Sequence, residues 1–222
     1  MNLWALQKGQ YLTDDNIDAT KEAIEFLNRI YNVDKSHMNV AEMVATSSDP
    51  YAMFASGNVA MMINGAWSLA QLKRYEDRGA SNITGKWDMT NLPTPPGVAP
   101  KTGVGGISFI AINANSRYKD QAWKFIEFFL GPEGARIYSM NGHVPAYVIP
   151  EAGDNYAAFT GYEAARRLFD PDLRIMAEQG QHPRYAEILR VFRSNAELYL
   201  LGETNIDTFG RNFVNDRAPL LR

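Results

Sequence analysis

The chain contains no cysteine. That absence removes disulfide frameworks, thiolate metal sites and cysteine nucleophiles together. It leaves the compartment open, because exported bacterial proteins also avoid the residue. Charge of one sign is equally scarce: 22 Lys+Arg against 25 Asp+Glu give a formal net charge of −3. No basic stripe faces a phosphate backbone, so nucleic acid is not an expected partner. Long apolar runs are missing too; Val59-Ala60-Met61-Met62-Ile63 falls far short of a membrane span. The stretch from Met1 to Lys8 is too short and polar to hold a signal-peptide apolar core. The histidines, His37, His143 and His182, lie in unrelated segments with no His-x-x-x-His, which argues against a metal site. Neither Gly-x-Ser-x-Gly nor Gly-Lys-Ser/Thr occurs, so an α/β-hydrolase nucleophile and a P-loop both lack their signatures. No cofactor is expected.

What the chain does have is ordinary globular material. Its 222 residues are 45% hydrophobic and 21% charged, enough for a sizeable core in one large domain or two small ones. Helical and strand-like stretches alternate, which points to an α/β architecture. Thr13 and Asp14 can cap a helix with apolar residues at Ile17, Ile24, Leu27, Ile30 and Tyr31. Asp49-Pro50 can open a short helix through Phe54, ended by Gly57. Val59–Ile63, bounded by Gly57-Asn58 and Asn64-Gly65, reads as a buried strand. A helix over Ala66–Tyr75 is stopped by Gly79, and Trp87–Leu92 reads as a strand. Four prolines between Pro93 and Pro100 forbid regular structure there. Ile107–Ile112 is the clearest strand, and helices follow over Lys119–Leu130 and Pro132–Met140, separated by Gly131. The remainder reads as helical over Tyr162–Phe169, Asp172–Gln179, Pro183–Leu201 and Asn205–Asn215.

Three segments are candidates for ligand contact. At Asn64-Gly65-Ala66-Trp67 an expected strand ends, Asn-Gly turns the chain, and a helix begins with an aromatic in its first turn. Ligands of α/β sheets gather outside the carboxyl ends of strands beside helix N-termini. A tryptophan there offers an apolar face and one N–H donor, which suits a sugar ring. Equally, Trp67 can be a core residue closing the junction. Gly103-Val104-Gly105-Gly106 precedes a strand instead of following one, so it is not a phosphate loop. It is either a segment whose backbone N–H groups face a ligand, or a bulge or tight bend. Arg184 and Tyr185, opening a helix after His182-Pro183, either reach a groove or lie on the surface. The carboxylates, Glu127, Glu133, Asp170 and Asp172 among them, read as caps and solvated helix faces, and no catalytic pair is indicated.

Taken in order, these segments resemble one family. Phe54 to Trp67 is similar to the F-x-x-G-x-A-M-x-x-x-G-x-W segment of bacterial extracellular solute-binding proteins (family 1, the maltose-binding-protein type). Leu92-Pro93, the proline-rich loop, the strand entered through Gly105-Gly106, and Ala122-Trp123-Lys124-Phe125-Ile126 follow in family order. So do Gly131-Pro132-Glu133-Gly134 and the G-x-x-P-A turn from Gly142 to Ala146. The resemblance runs from about Asp14 to the C-terminus and implies the C-terminal half of a two-lobed, Venus-flytrap binding protein. It implies that residues 1–106 and 141–222 belong mainly to the second lobe and 107–140 to the first. It further implies a small-molecule sugar as ligand and ABC transporter permease subunits as partners. An N-terminal lobe would lie ahead of this region, in a periplasmic or extracellular lipoprotein parent tethered to the membrane. By the same resemblance Trp67, beside Asn64 and Gly65, stacks on the sugar, while Gly105 and Gly106 lie near hinge and ligand. Arg184 and Tyr185 are candidate hydroxyl partners. One departure concerns a later family tryptophan on the helix Pro183–Leu201; this chain has Ile188 and Leu189 near that position, which disfavours a maltodextrin-like ligand. A glycoside-processing enzyme fragment would instead need two carboxylates beside Trp67, and a non-binding assembly module would bury Trp67.

Overall fold

The structure, a computed structural model, describes residues 2–38, 40–46, 49–106 and 108–222. Its elements in chain order are α1 (Leu3–Gln7), α2 (Asp18–Asn28), α3 (Val40–Thr46), α4 (Pro50–Ala55), α5 (Trp67–Asp77), β1 (Thr102–Gly105), α6 (Lys119–Leu130), α7 (Pro132–Met140), α8 (Ala152–Thr160), β2 (Arg174–Ala177), α9 (Tyr185–Leu200) and α10 (Ile206–Arg217). A π-helical turn extends α2 over Arg29–Val33, and 3₁₀ turns occupy Glu163–Phe169 and Ala218–Leu220. Two compact units result: one of residues 1–47, 93–106 and 174–222, the other of residues 48–92 and 107–173. These bounds differ from a grouping of 1–106 with 141–222, because 107–140 packs in the same unit as 48–92 and 141–173.

In the first unit, β1 and β2 pair in parallel, Thr102 opposite Arg174 through Gly105 opposite Ala177. Gln7 of α1 binds this ladder to the chain before it, donating to the carbonyls of Pro93 (3.0 Å) and Thr102 (2.7 Å). Every third or fourth residue of α9, namely Tyr185, Ile188, Phe192, Ala196 and Leu200, is buried, the single apolar stripe that a surface helix turns to its core. Phe192 meets Phe209 and Phe213 of α10 edge to face, with centroids 6.2 and 5.6 Å apart. Leu12, Ile17 and Ile24 complete the cluster.

The second unit is built on α5 and α8. Tyr156, fully buried, donates through its hydroxyl to the carbonyl of Ala66 at 2.6 Å, and packs with Leu69 and Ala165. Glu76 of α5 accepts from the Trp87 indole (3.0 Å) and the Tyr162 hydroxyl (2.8 Å), so an otherwise irregular segment is fastened to the helix. Burial and the Glu76 carboxylate together push the Tyr162 phenol up to about 12.

The helices with clear start and stop signals lie where the sequence places them; α6 and α7 have the expected bounds, with Gly131 between. Other expectations are corrected. Val59–Ile63, Trp87–Leu92 and 108–112 are not strands; Ile107 lies outside the described residues. A strand is a paired object, and among the described residues nothing ladders with these segments. Asp172–Gln179 is not helical: its centre is β2, held by β1. The first long helix begins at Asp18, not at Thr13–Asp14, because the Asp14 carboxylate accepts from the Tyr11 N–H at 2.8 Å and folds that stretch into a turn.

Asp49 behaves as its position demands. Its carboxylate accepts from the Tyr51 N–H at 2.8 Å, capping α4, and from the Tyr75 hydroxyl of α5 at 2.6 Å. The Tyr75 hydrogen bond is the main cause that holds the carboxyl below its ordinary 3.8. Asp49→Ala is expected to cost about 1 kcal/mol, read as a lower urea midpoint. A depressed folded-state carboxyl stabilises above its unfolded value and loses that contribution as pH falls through the lower folded value. The gap between wild type and Asp49→Ala therefore narrows below about pH 4.

Candidate functional site

The site is clearest around Trp67. The Asn64 carboxamide oxygen accepts from the Gly65 N–H at 2.8 Å, turning the chain. The Gly65 carbonyl then accepts from Ser68, at 3.0 Å from its N–H and 2.7 Å from its hydroxyl, which starts α5. A side chain at position 65 would lie 2.2 Å from the Trp67 ring, so a glycine is needed for the ring to rest where it does. The indole N–H donates to the Tyr51 hydroxyl at 3.1 Å, fixing the ring's rotation. Trp67 is nevertheless 59% exposed. The ring thus presents a fixed, open aromatic face with its N–H engaged, and the alternative of a buried core tryptophan does not describe it.

Tyr51 was not legible as a site residue, since its role depends on α4 and α5 meeting. It also borders a cavity of about 360 Å³ whose walls include Asp49, Gln71, Arg74, Tyr75 and Arg78.

In the first unit, Gly105 and Gly106 stand at the carboxyl end of β1. The Gly105 carbonyl accepts from the Glu178 N–H at 2.9 Å. A Cβ on Gly105 would lie 2.8 Å from Ile175, and one on Gly106 would lie 2.5 Å from the Glu178 carboxylate. Close approach to β2 thus accounts for both glycines. Glu178 hangs over Gly106 just past the carboxyl ends of two parallel strands, where α/β ligands bind. Among the described residues its carboxylate has no hydrogen-bond or ion-pair partner. Reading 172–179 as helix concealed it.

Arg184 and Tyr185 are otherwise engaged. The Arg184 guanidinium forks onto Glu187 at 3.0 and 2.8 Å, and its third nitrogen donates to the Pro219 carbonyl at 3.2 Å. The pair holds Glu187 below the usual carboxylate range and Arg184 above its own. Tyr185 is 7% exposed within the α9 core stripe, and burial pushes its phenol up. Trp67, Asn64 and Gly65 belong to one unit and Gly105, Gly106, Arg184 and Tyr185 to the other. No group of three or more His, Asp or Glu able to hold a metal occurs among the described residues.

A solved sugar transporter of Rhizobium etli, in an open conformation, superposes with a TM-score of 0.81 at 24% identity, covering 96% of this chain and 55% of that one. The sugar-binding protein MalE of the phytopathogen Xanthomonas citri superposes at 0.70 with 22% identity, covering 99% of this chain and 54% of that one. The fold is therefore that of part of a periplasmic binding protein, helix-rich α/β. A lactose-binding protein of Rhizobium radiobacter is 27% identical over 143 residues, 62% of this chain and 31% of that protein. The chain spans about half the length of the solved structures and the match covers less of the curated relative. Residues 1–158 match the family described as bacterial extracellular solute-binding protein, and the chain belongs to that family.

Proposed function

We propose that this chain is a non-catalytic, carbohydrate-binding portion of a solute-binding protein that delivers its ligand to the permease subunits of an ABC importer, outside the cytoplasmic membrane. The observation that carries the reading is Trp67: exposed, fixed by Tyr51, and seated over a glycine. Asn64 and Gly65 supply polar groups beside it, and its named relatives are sugar-binding proteins. Gly105 and Gly106 are candidate backbone contacts, and Arg184 and Tyr185 contribute only on releasing their present partners. Hydrolysis needs two facing carboxylates. The cavity beside Tyr51 is lined by one carboxylate, Asp49, which accepts from Tyr75 and caps α4.

We further infer that the rest of a two-lobed protein covers apolar surface of the second unit. Met61 and Phe109 are 84% and 85% exposed, and Trp123, Phe125 and Phe128 of α6 are open as well. Apolar surface of that extent marks an interaction face. In the assembled protein, lobes closing on ligand would supply the differential affinity for transport.

Calorimetric titration of the chain with lactose and with maltose tests the reading. A saturable Kd of about 1 mM or weaker is expected for half of a cleft. Micromolar binding would overturn the half-site inference, and the absence of saturable heat with either sugar would overturn the binding one.

A further inference from the structure

The cavity bordered by Tyr51 has a chemistry that sugar stacking on Trp67 does not use. Along α5, Trp67, Gln71, Arg74 and Arg78 follow at steps of four, three and four, so they share one helix face. The last three line the cavity, opposite Asp49 and Tyr51 of the α4 segment. Arg74 and Arg78 are exposed, and neither has an ion-pair partner among the described residues. Arg74 donates weakly to the Gln71 carboxamide oxygen at 3.3 Å, which leaves the Gln71 N–H₂ group as a further donor. Asp49 keeps its negative charge but is hydrogen-bonded to the Tyr75 hydroxyl and the Tyr51 N–H, with no ion pair to either guanidinium group among the described residues. The Tyr51 oxygen accepts from Trp67.

The wall presents N–H donors from Gln71, Arg74 and Arg78, and its two guanidinium groups outnumber the single Asp49 carboxylate. Basic residues at a helix C-terminus also complement its dipole. That role needs only proximity to the last turn, and it does not gather Gln71, Tyr51 and Tyr75 around the same space. Guanidinium forks match the planar oxygens of a carboxylate or phosphate, and phenol rings accept the C–H face of a small polyol. A volume of about 360 Å³ lies at the small end of ligand pockets.

We propose that this cavity is a second ligand site, taking a small hydroxylated molecule that carries an anionic group, a sugar acid or a sugar phosphate. The Arg74 and Arg78 guanidinium groups bind the anion, Gln71 a further oxygen, and Tyr51 and Tyr75 flank the ring. The site does not depend on the stacking role of Trp67.

The test is calorimetric titration of the 222-residue chain with D-glucuronate, D-glucose 6-phosphate and neutral D-glucose at low salt. Saturable binding of at least one anion, about tenfold or more tighter than glucose, is expected. The arms distinguish carboxylate from phosphate: the tighter of the two names the anionic group. Binding should weaken with added NaCl and fall about tenfold or more in the Arg74→Gln/Arg78→Gln double variant. Both positions are solvent-exposed, and circular dichroism checks that this variant remains folded. Trp67→Ala, which frees the Tyr51 hydroxyl, should weaken anion binding less than the Arg74→Gln/Arg78→Gln double variant does. Equal affinity for glucose and the anions, or an unchanged double variant, would overturn the proposal. Loss of anion binding in Trp67→Ala with retention in the double variant would reassign the ligand to the stacking site. No anion heat would remove the second site while leaving the lactose titration to decide the first.

Discussion

Trp67→Ala is expected to abolish the saccharide-dependent change in tryptophan fluorescence and to weaken saccharide binding about thirtyfold, the effect of truncating a central aromatic anchor. Stacking itself contributes roughly 1 kcal/mol beyond apolar burial, and the rest comes from losing a face that no neighbour can replace. The indole is pinned by Tyr51 and seated on Gly65, so little ordering is required when a ring docks, and preorganised contacts lose most when removed. The other three tryptophans supply an internal reference: Trp87 is held by Glu76, Trp123 by Glu127, and Trp4 packs edge to face with Phe26, and their emission should not respond. Trp67→Phe should retain part of the affinity, keeping a face and losing the N–H. A saccharide affinity unchanged in Trp67→Ala would take this residue out of the site.

The second large effect is on stability. Arg217, at the end of α10, is 2% exposed and reaches back across the sequence to donate to the carbonyls of Leu12 and, at 2.6 Å, Asp14. Its guanidinium lies 4.9 Å from the centroid of Phe213. Burial lowers its pKa, opposed by the nearby charges of Asp15 and Asp14, and carbonyl dipoles and an aromatic face offset part of the desolvation. Arg217→Ala is expected to lose about 3–4 kcal/mol, combining orphaned carbonyls with a cavity. Arg217→Met refills most of the volume and sheds the desolvation cost, and should lose about half as much. Urea denaturation of the pair measures both. A methionine variant as stable as wild type would show that the clamp on Leu12 and Asp14 contributes nothing net.

Helix ends were legible where a residue acts on its own backbone. Asp49-Pro50, Gly131-Pro132 and the left-handed Gly79 mark boundaries through local geometry, and α4, α6 and α7 follow them. Strands were not, because a ladder is decided by a partner far along the chain. Arg174-Ile175-Met176-Ala177 contains good helix formers and becomes β2 only by lying beside β1. Conversely Val59–Ile63 has strand composition and no ladder among the described residues. The short α8 was missed although Pro150 and the left-handed Gly161 bracket it; its Ala-Gly-Asp-Asn start hid an apolar face. At the site, Trp67 and Gly65 stood out as a motif, whereas Tyr51, Glu178 and the basic cavity wall emerge only from packing between elements distant in sequence.

The interleaving of the units bears on how the molecule is made. The chain passes from one unit to the other after residues 47, 92, 106 and 173, so each is assembled from separated stretches. During synthesis β1 leaves the ribosome well before β2, and α1 and α2 before the α9 and α10 side chains that bury them. Until about the last fifty residues arrive, Leu12, Ile17 and Ile24 have no core to enter. The first unit is thus a late folder of high contact order, and a nascent chain stalled before Arg174 should hold half-made apolar surface that invites chaperones.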